Sequence, residues 1–172
     1  MKVVIVGCGR VGAVLAESFD SAGHDVVILD LSTQAFDRLH ASFAGNAVRG
    51  DGTDEDTLRR AGAEDADLFL ALTEGDNRNV MSCQVAVEAL NARQVIAKIN
   101  DPVRASAYSA LGIGALCRTT LMADAVMGYV GLPDRQSGWP GVLPPTGTHH
   151  GGEHGEEPEA PGATRPVAVE EA

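Results

Sequence analysis

Two rhythms of apolar and polar positions run along this chain. Strand patterns near 2–6, 25–30, 46–49, 67–72, 94–99 and 114–117 predict strands. Between them, helical spacing at 10–22, 32–43, 54–61, 76–91, 102–110 and 119–130 predicts helices. Strands alternating with helices imply an α/β fold, a parallel sheet covered on both faces. The runs Val26-Val27-Ile28-Leu29 and Leu68-Phe69-Leu70-Ala71-Leu72 lack a period of two, as strands buried on both sides do. Right-handed crossovers then favour a doubly wound, Rossmann-like, six-stranded sheet in the order 3-2-1-4-5-6. Its ligand crevice lies at the carboxyl ends of strands 1 and 4.

The pattern stops near Pro133, which divides the chain into a folded unit, 1–132, and a tail, 133–172. The tail is dense in Gly, Pro and Glu and nearly empty of large apolar residues after Leu143, so it cannot bury enough surface to offset its ordering entropy and is expected to be disordered. Its His149, His150 and His154 lie in a flexible, solvated stretch and are not expected to form a metal site. The net charge of −11 argues against nucleic acid as a partner, because phosphate backbones are bound by basic patches. No stretch approaches the roughly 20 apolar residues needed to span a membrane. The first apolar run, residues 3–6, is too short for a signal peptide, so a cytoplasmic location is expected. The three cysteines, Cys8, Cys83 and Cys117, show neither paired nor metal-like spacing and fit a reducing compartment.

The chemistry concentrates at the ends of the strands. Gly7-Cys8-Gly9-Arg10-Val11-Gly12 follows the first strand and opens a helical pattern, while Asp30, eighteen positions past Gly12, ends the second strand. A lone G-x-G-x-x-G is a weak signal, and this strand–loop–helix–strand context makes it specific. Gly7 permits the tight turn, Gly9 lets backbone approach a pyrophosphate, and Gly12 lets the helix pack closely on the strand. Free N–H groups at the helix start favour an anion. Asp30 is expected to accept ribose hydroxyls and to repel a 2′-phosphate, which disfavours NADP, as no Arg follows nearby until Arg38. Cys8 reads as a small packing residue in preference to an activated thiol.

Further along, Asp51 of Gly50-Asp51-Gly52-Thr53-Asp54 is placed either to accept an adenine amino group or to shape a turn. Thr53 with Asp56 matches a capping box for a helix beginning at Asp54. Thr73 and Asn79, after strand 4, face the glycine loop across the crevice as candidate phosphate or ribose contacts, with Asp76 a candidate helix cap. Lys98 ends strand 5 either as a cation at the crevice mouth or as a snorkelling surface residue. Arg10 would meet an extra anionic group such as a terminal phosphate, which favours ATP or ADP over a dinucleotide.

In this order, the glycine loop, Asp30, the Gly50–Asp54 turn, the Leu72-to-Asn79 segment and Lys98-Ile99-Asn100-Asp101-Pro102 resemble the TrkA-N domain over about residues 1–130. This is the nucleotide-binding lobe of the RCK (KTN) family, regulators of potassium conductance. The resemblance implies a cytosolic regulatory (gating) subunit of a Trk/Ktr-type potassium uptake system, peripheral to the inner face of the cell membrane through a membrane transporter subunit. It also implies an adenine nucleotide ligand, NAD(H) or ATP/ADP. By this likeness the site comprises Gly7, Cys8, Gly9, Arg10, Val11 and Gly12 around the phosphates, and Asp30 with Leu31 at the ribose. Asp51, Gly52 and Thr53 would take the adenine end, with Leu72, Thr73, Asn79 and Lys98 on the far side. Many members carry Arg at the position of Lys98, and the family's small second lobe has no counterpart after Val130.

The stripe Leu121, Met122, Ala125, Val126, Tyr129 and Val130 has to be buried. In the family the matching helix crosses to a partner subunit, which implies a homodimer or higher oligomer, or a hetero-oligomer with a complete RCK subunit. Two other functions compete. One is a nucleotide-insensitive assembly module. The other is an NAD-dependent oxidoreductase, disfavoured because no His follows Pro102 before the tail. No catalytic residue is expected.

Overall fold

The computed structural model describes residues 1–110 and 112–131. The expected disordered tail, with His149, His150 and His154, lies outside the described residues. The elements run β1 (Lys2–Val6), α1 (Arg10–Ser21), β2 (Asp25–Asp30), β3 (Asn46–Arg49), α2 (Glu55–Arg60), β4 (Leu68–Ala71), α3 (Asp76–Glu88), β5 (Val95–Ile99), α4 (Pro102–Ala110), β6 (Gly114–Cys117) and α5 (Arg118–Tyr129). All strand pairs are parallel, in the order β3-β2-β1-β4-β5-β6, as the hydrophobic pattern predicts.

Alternate residues of each central strand enter two separate cores. Val3 and Ile5 of β1 pack with Ala13 and Ala16 of α1, while Val4 and Val6 pack on the opposite face with Leu58 of α2 and Val80 and Cys83 of α3. Each fully buried Val, Leu, Ile or Phe contributes about 1.5–3 kcal/mol. Both faces of β1, β2 and β4 are consumed in this way, so the open surface of the sheet centre is its carboxyl edge. Register fixes that edge: Val6 stands beside Leu29 of β2 and Ala71 of β4, so the β1 loop emerges between the ends of its two neighbours.

Two expectations need correction. The helix predicted at 32–43 is a 3-10 turn, Thr33–Arg38, because Leu39 is extended and side chains of α1 capture the amides beyond it. The His40 amide donates to Glu17 Oε1 at 2.6 Å and that of Ala44 to Asp20 Oδ2 at 2.9 Å, bonds that compete with helical ones. The capping box of Thr53 with Asp56 does not form. Asp54 is the N-cap instead, accepting from the Thr57 amide at 2.7 Å, and α2 starts at Glu55.

At the other end of the chain, α5 buries none of its residues. Met122 is 64% exposed and Tyr129 94%, so its apolar stripe does not pack on the chain's own sheet. Among the described residues no helix is long and apolar enough to cross a membrane.

Candidate functional site

The glycine loop is set by sterics. Gly7 has φ +106°, a conformation in which an L side chain is strained, and its amide donates to Leu29 O at 2.7 Å. A Cβ on Gly12 would sit 2.0 Å from Gly7 O, so only glycine allows α1 to start this close to the strand. A Cβ on Gly9 would meet nothing within 4 Å. Gly9 is also the N-cap of α1 and supplies no side-chain cap, which leaves the first helical N–H groups facing outward. The open space over Gly9 and these donors together form a cradle for an anion.

Asp30, at the end of β2, anchors the loop. Its Oδ2 accepts from the Cys8 amide at 2.8 Å and its Oδ1 from the Ser32 amide at 2.9 Å. A carboxylate offers about four acceptor positions, so these two bonds leave capacity for hydroxyl donors. The side chain is therefore both a brace and a candidate ligand contact.

The cleft beside this loop has a volume of about 240 Å³ and is lined by Val6, Gly7 and Gly9 of the loop side and by Leu29, Asp30 and Leu31 after β2. Gly50, Asp51 and Gly52 after β3 form another wall, and Leu72, Thr73, Glu74 and Arg78 after β4 close it. Of the residues singled out in sequence, it brings together Gly7, Gly9, Asp30, Leu31, Asp51, Gly52, Leu72 and Thr73. Cys8, Arg10, Val11, Gly12, Thr53, Asn79 and Lys98 do not line it. Arg10 and Val11 are exposed on the first turn of α1, beside the loop.

Several of the non-lining residues have clear local uses. Thr53 donates its amide (3.0 Å) and hydroxyl (2.8 Å) to Asp51 Oδ1. These two bonds, assisted by the Arg78 charge, hold the Asp51 carboxyl below its ordinary value of 3.8, so it is ionised at neutral pH. Asn79 is fully buried. Its Oδ1 accepts from the Thr73 amide (2.8 Å) and hydroxyl (2.6 Å), and its Nδ2 donates to Thr73 O (3.0 Å) and Lys98 O (2.8 Å). It ties the ends of β4 and β5 together. Asp76 is not the cap of α3, a position held by Gly75; its Oδ1 accepts from the Asn100 amide (2.9 Å) and Nδ2 (2.8 Å), stapling α3 to the turn after β5. Nor does Lys98 snorkel. Its side chain is only 12% exposed and its Nζ pairs at 3.3 Å with Glu74, a residue of the cleft rim.

Arg78, Glu74 and Gly50 are cleft residues that sequence reasoning missed. The available signal was position: Gly50 and Glu74 occupy the turns after β3 and β4 and Arg78 the first turn of α3, at the same carboxyl edge as the other lining residues.

The thiols are inert by burial. Burial and the nearby Asp30 push Cys8 up to about 11, and burial pushes Cys83 up to about 12. Cys117 is buried as well. A disulfide reagent at pH 8 is expected to titrate no thiol in the native protein and all three after unfolding in guanidinium chloride. Rapid reaction of one native thiol would mean that the loop around Cys8 opens.

The TrkA-N domain family model matches residues 3–119. The Trk system potassium uptake protein TrkA of Streptomyces coelicolor is 43% identical over 127 residues, 74% of this chain and 57% of that protein, so the chain spans little more than half of its relative's length. Among solved structures, the Kef CTD of Shewanella denitrificans in its AMP-bound form has a TM-score of 0.62 at 22% identity, covering 78% of this chain and 84% of the other. The GsuK channel bound to NAD has a TM-score of 0.61 at 19% identity, covering 74% and 23%. At these identities the structures share the fold. The family rests on the match over residues 3–119, more than half of the chain, and on that ground the chain belongs to the TrkA-N domain family.

Proposed function

We propose that this chain is a cytosolic, nucleotide-binding regulatory subunit of a Trk/Ktr-type potassium uptake system. The observation that carries the reading is the pairing of an uncapped, glycine-lined helix start with the Asp30 carboxylate on one cleft. The ligand is an adenine nucleotide, NAD(H) or ATP/ADP; NADP is disfavoured, because its 2′-phosphate would meet Asp30. The loop N–H groups hold the phosphates, Arg10 meets a terminal anionic group from outside the cleft, and Asp51 takes the base. The cleft is smaller than the roughly 300–1,000 Å³ of sites that enclose a whole ligand. It therefore surrounds one end of a nucleotide and leaves the rest along the open mouth.

The role is regulatory and not enzymatic. Among the described residues the lining contains no histidine, and its carboxylates are suited to accept from hydroxyl and amino donors. The unpacked α5 is the surface on which a second copy assembles, and the membrane transporter subunit responds to the geometry of that assembly. Nucleotide shifts this geometry by no more than its difference in affinity for the two states. The relative's name, a Trk system potassium uptake protein, supports this assignment.

Calorimetric titration of nucleotide-free protein with ATP, ADP, NAD and NADH tests the reading. Micromolar binding with discrimination among the four is expected. Asp30→Ala removes a charged acceptor worth about 1.5–3 kcal/mol and should weaken binding roughly 10- to 150-fold. Absence of binding to all four would leave the chain as an assembly module.

A further inference from the structure

Beside the glycine loop, the cleft holds an arrangement that the phosphate and ribose contacts do not use. Asp51 Oδ1 takes both bonds from Thr53, and among the described residues no group donates to Oδ2. On another wall, the Arg78 guanidinium makes no hydrogen bond or ion pair with any described residue. The Arg78 charge helps to hold the Asp51 carboxyl below its ordinary value, yet the two form no salt bridge. An unpaired anionic acceptor and an unpaired planar cation thus share one cleft, with Val6, Leu29, Leu31 and Leu72 as apolar walls.

A phosphate is a poor occupant of that space, because it would meet Asp51 with Asp30 and Glu74 also on the lining. A flat, neutral heteroaromatic ring bearing an amino group satisfies every wall. Its edge donates to the free carboxylate oxygen, its face takes the guanidinium, and its remaining surface meets the leucines and the valine. Building on the nucleotide reading above, we infer that Arg78 is the base-covering residue of this site, lying over the face of the adenine ring while the ring's amino group donates to Asp51 Oδ2.

The test is calorimetry on the full chain and on Arg78→Met and Arg78→Lys, titrated with AMP, ADP, NAD and inosine diphosphate. Arg78 is exposed, so both variants are expected to keep the parent's thermal melt. Arg78→Met should weaken AMP, ADP and NAD by one common factor of about three- to thirtyfold, since all three carry the same base. Arg78→Lys, which keeps the charge and loses the plane, should fall close to Arg78→Met. Inosine diphosphate, with a carbonyl in place of the amino group, should bind the parent at least about tenfold more weakly than ADP. An unchanged affinity in Arg78→Met overturns the inference, as does a loss that grows with the number of phosphates or full rescue by lysine. If the parent itself binds none of the nucleotides, the site reading fails and takes the inference with it. Binding by the parent with indifference to Arg78 removes the inference alone.

Discussion

Asn79→Ala is expected to lower the unfolding free energy by about 3–5 kcal/mol, read from urea denaturation at constant slope. The side chain is fully buried and satisfies both ends of its amide within the protein. Truncation leaves the Thr73 amide, Thr73 O and Lys98 O without this partner, and each stranded buried group costs about 1–3 kcal/mol. Partial entry of water keeps the sum below the simple total. Asn79→Asp should be no milder, because it sets a second carboxylate oxygen against the two carbonyls that Nδ2 now serves. A loss below about 1 kcal/mol for Asn79→Ala would contradict the buried bridge between β4 and β5. Because Thr73 lines the cleft, nucleotide affinity should fall along with stability.

The second large effect separates two glycines three residues apart. In Gly12→Ala the new methyl lands 2.0 Å from Gly7 O, so α1 or the loop must move. Overpacking of this kind costs about 1–3 kcal/mol or more, and the displaced helix start should lose its ligand too. Gly9→Ala is the opposite case. Its methyl meets open space and its backbone, at φ −77°, suits any residue, so stability should change by less than about 1 kcal/mol. The same methyl occupies the space proposed for the pyrophosphate, and affinity should drop about 5- to 150-fold. Paired melts and titrations read both quantities, and a Gly9→Ala protein that binds ADP as the parent does would move the phosphates off the loop.

The centre of the sheet was legible because β1, β2 and β4 are unbroken apolar runs, as strands buried on both faces are, and because a parallel order follows from the alternation. Local capture of backbone was not legible. Residues 32–43 carry helical spacing, but whether they coil depends on Glu17 and Asp20 of α1 reaching the His40 and Ala44 amides, a tertiary fact. The α2 cap was ambiguous because Thr53 with Asp56 and Asp54 with Thr57 both have the right offset; the demand of Asp51 for Thr53's two donors decides between them.

In the site, glycines and the acid after β2 declared themselves through spacing. Asn79 did not, since a polar residue near a crevice reads as a ligand contact until its own four bonds are counted. Arg78 was invisible for the converse reason. An arginine in a helix's first turn looks like a solvated surface residue, and only the fold sets it opposite Asp51.

The walls of the cleft come from the ends of β1, β2, β3 and β4, and β1 lies between β2 and β4, with Val3 opposite Leu68. That pairing spans 65 positions of sequence, and the last lining residue is Arg78. Non-local parallel contacts of this kind are slow to form, because loop-closure entropy is spent before any contact rewards it. During synthesis, then, the nascent chain holds no complete ligand cleft until β4 and the first turn of α3 have left the ribosome and docked on β1. A ligand of this cleft would stabilise the finished lobe over precursors that lack one of its walls, so binding would report completed folding.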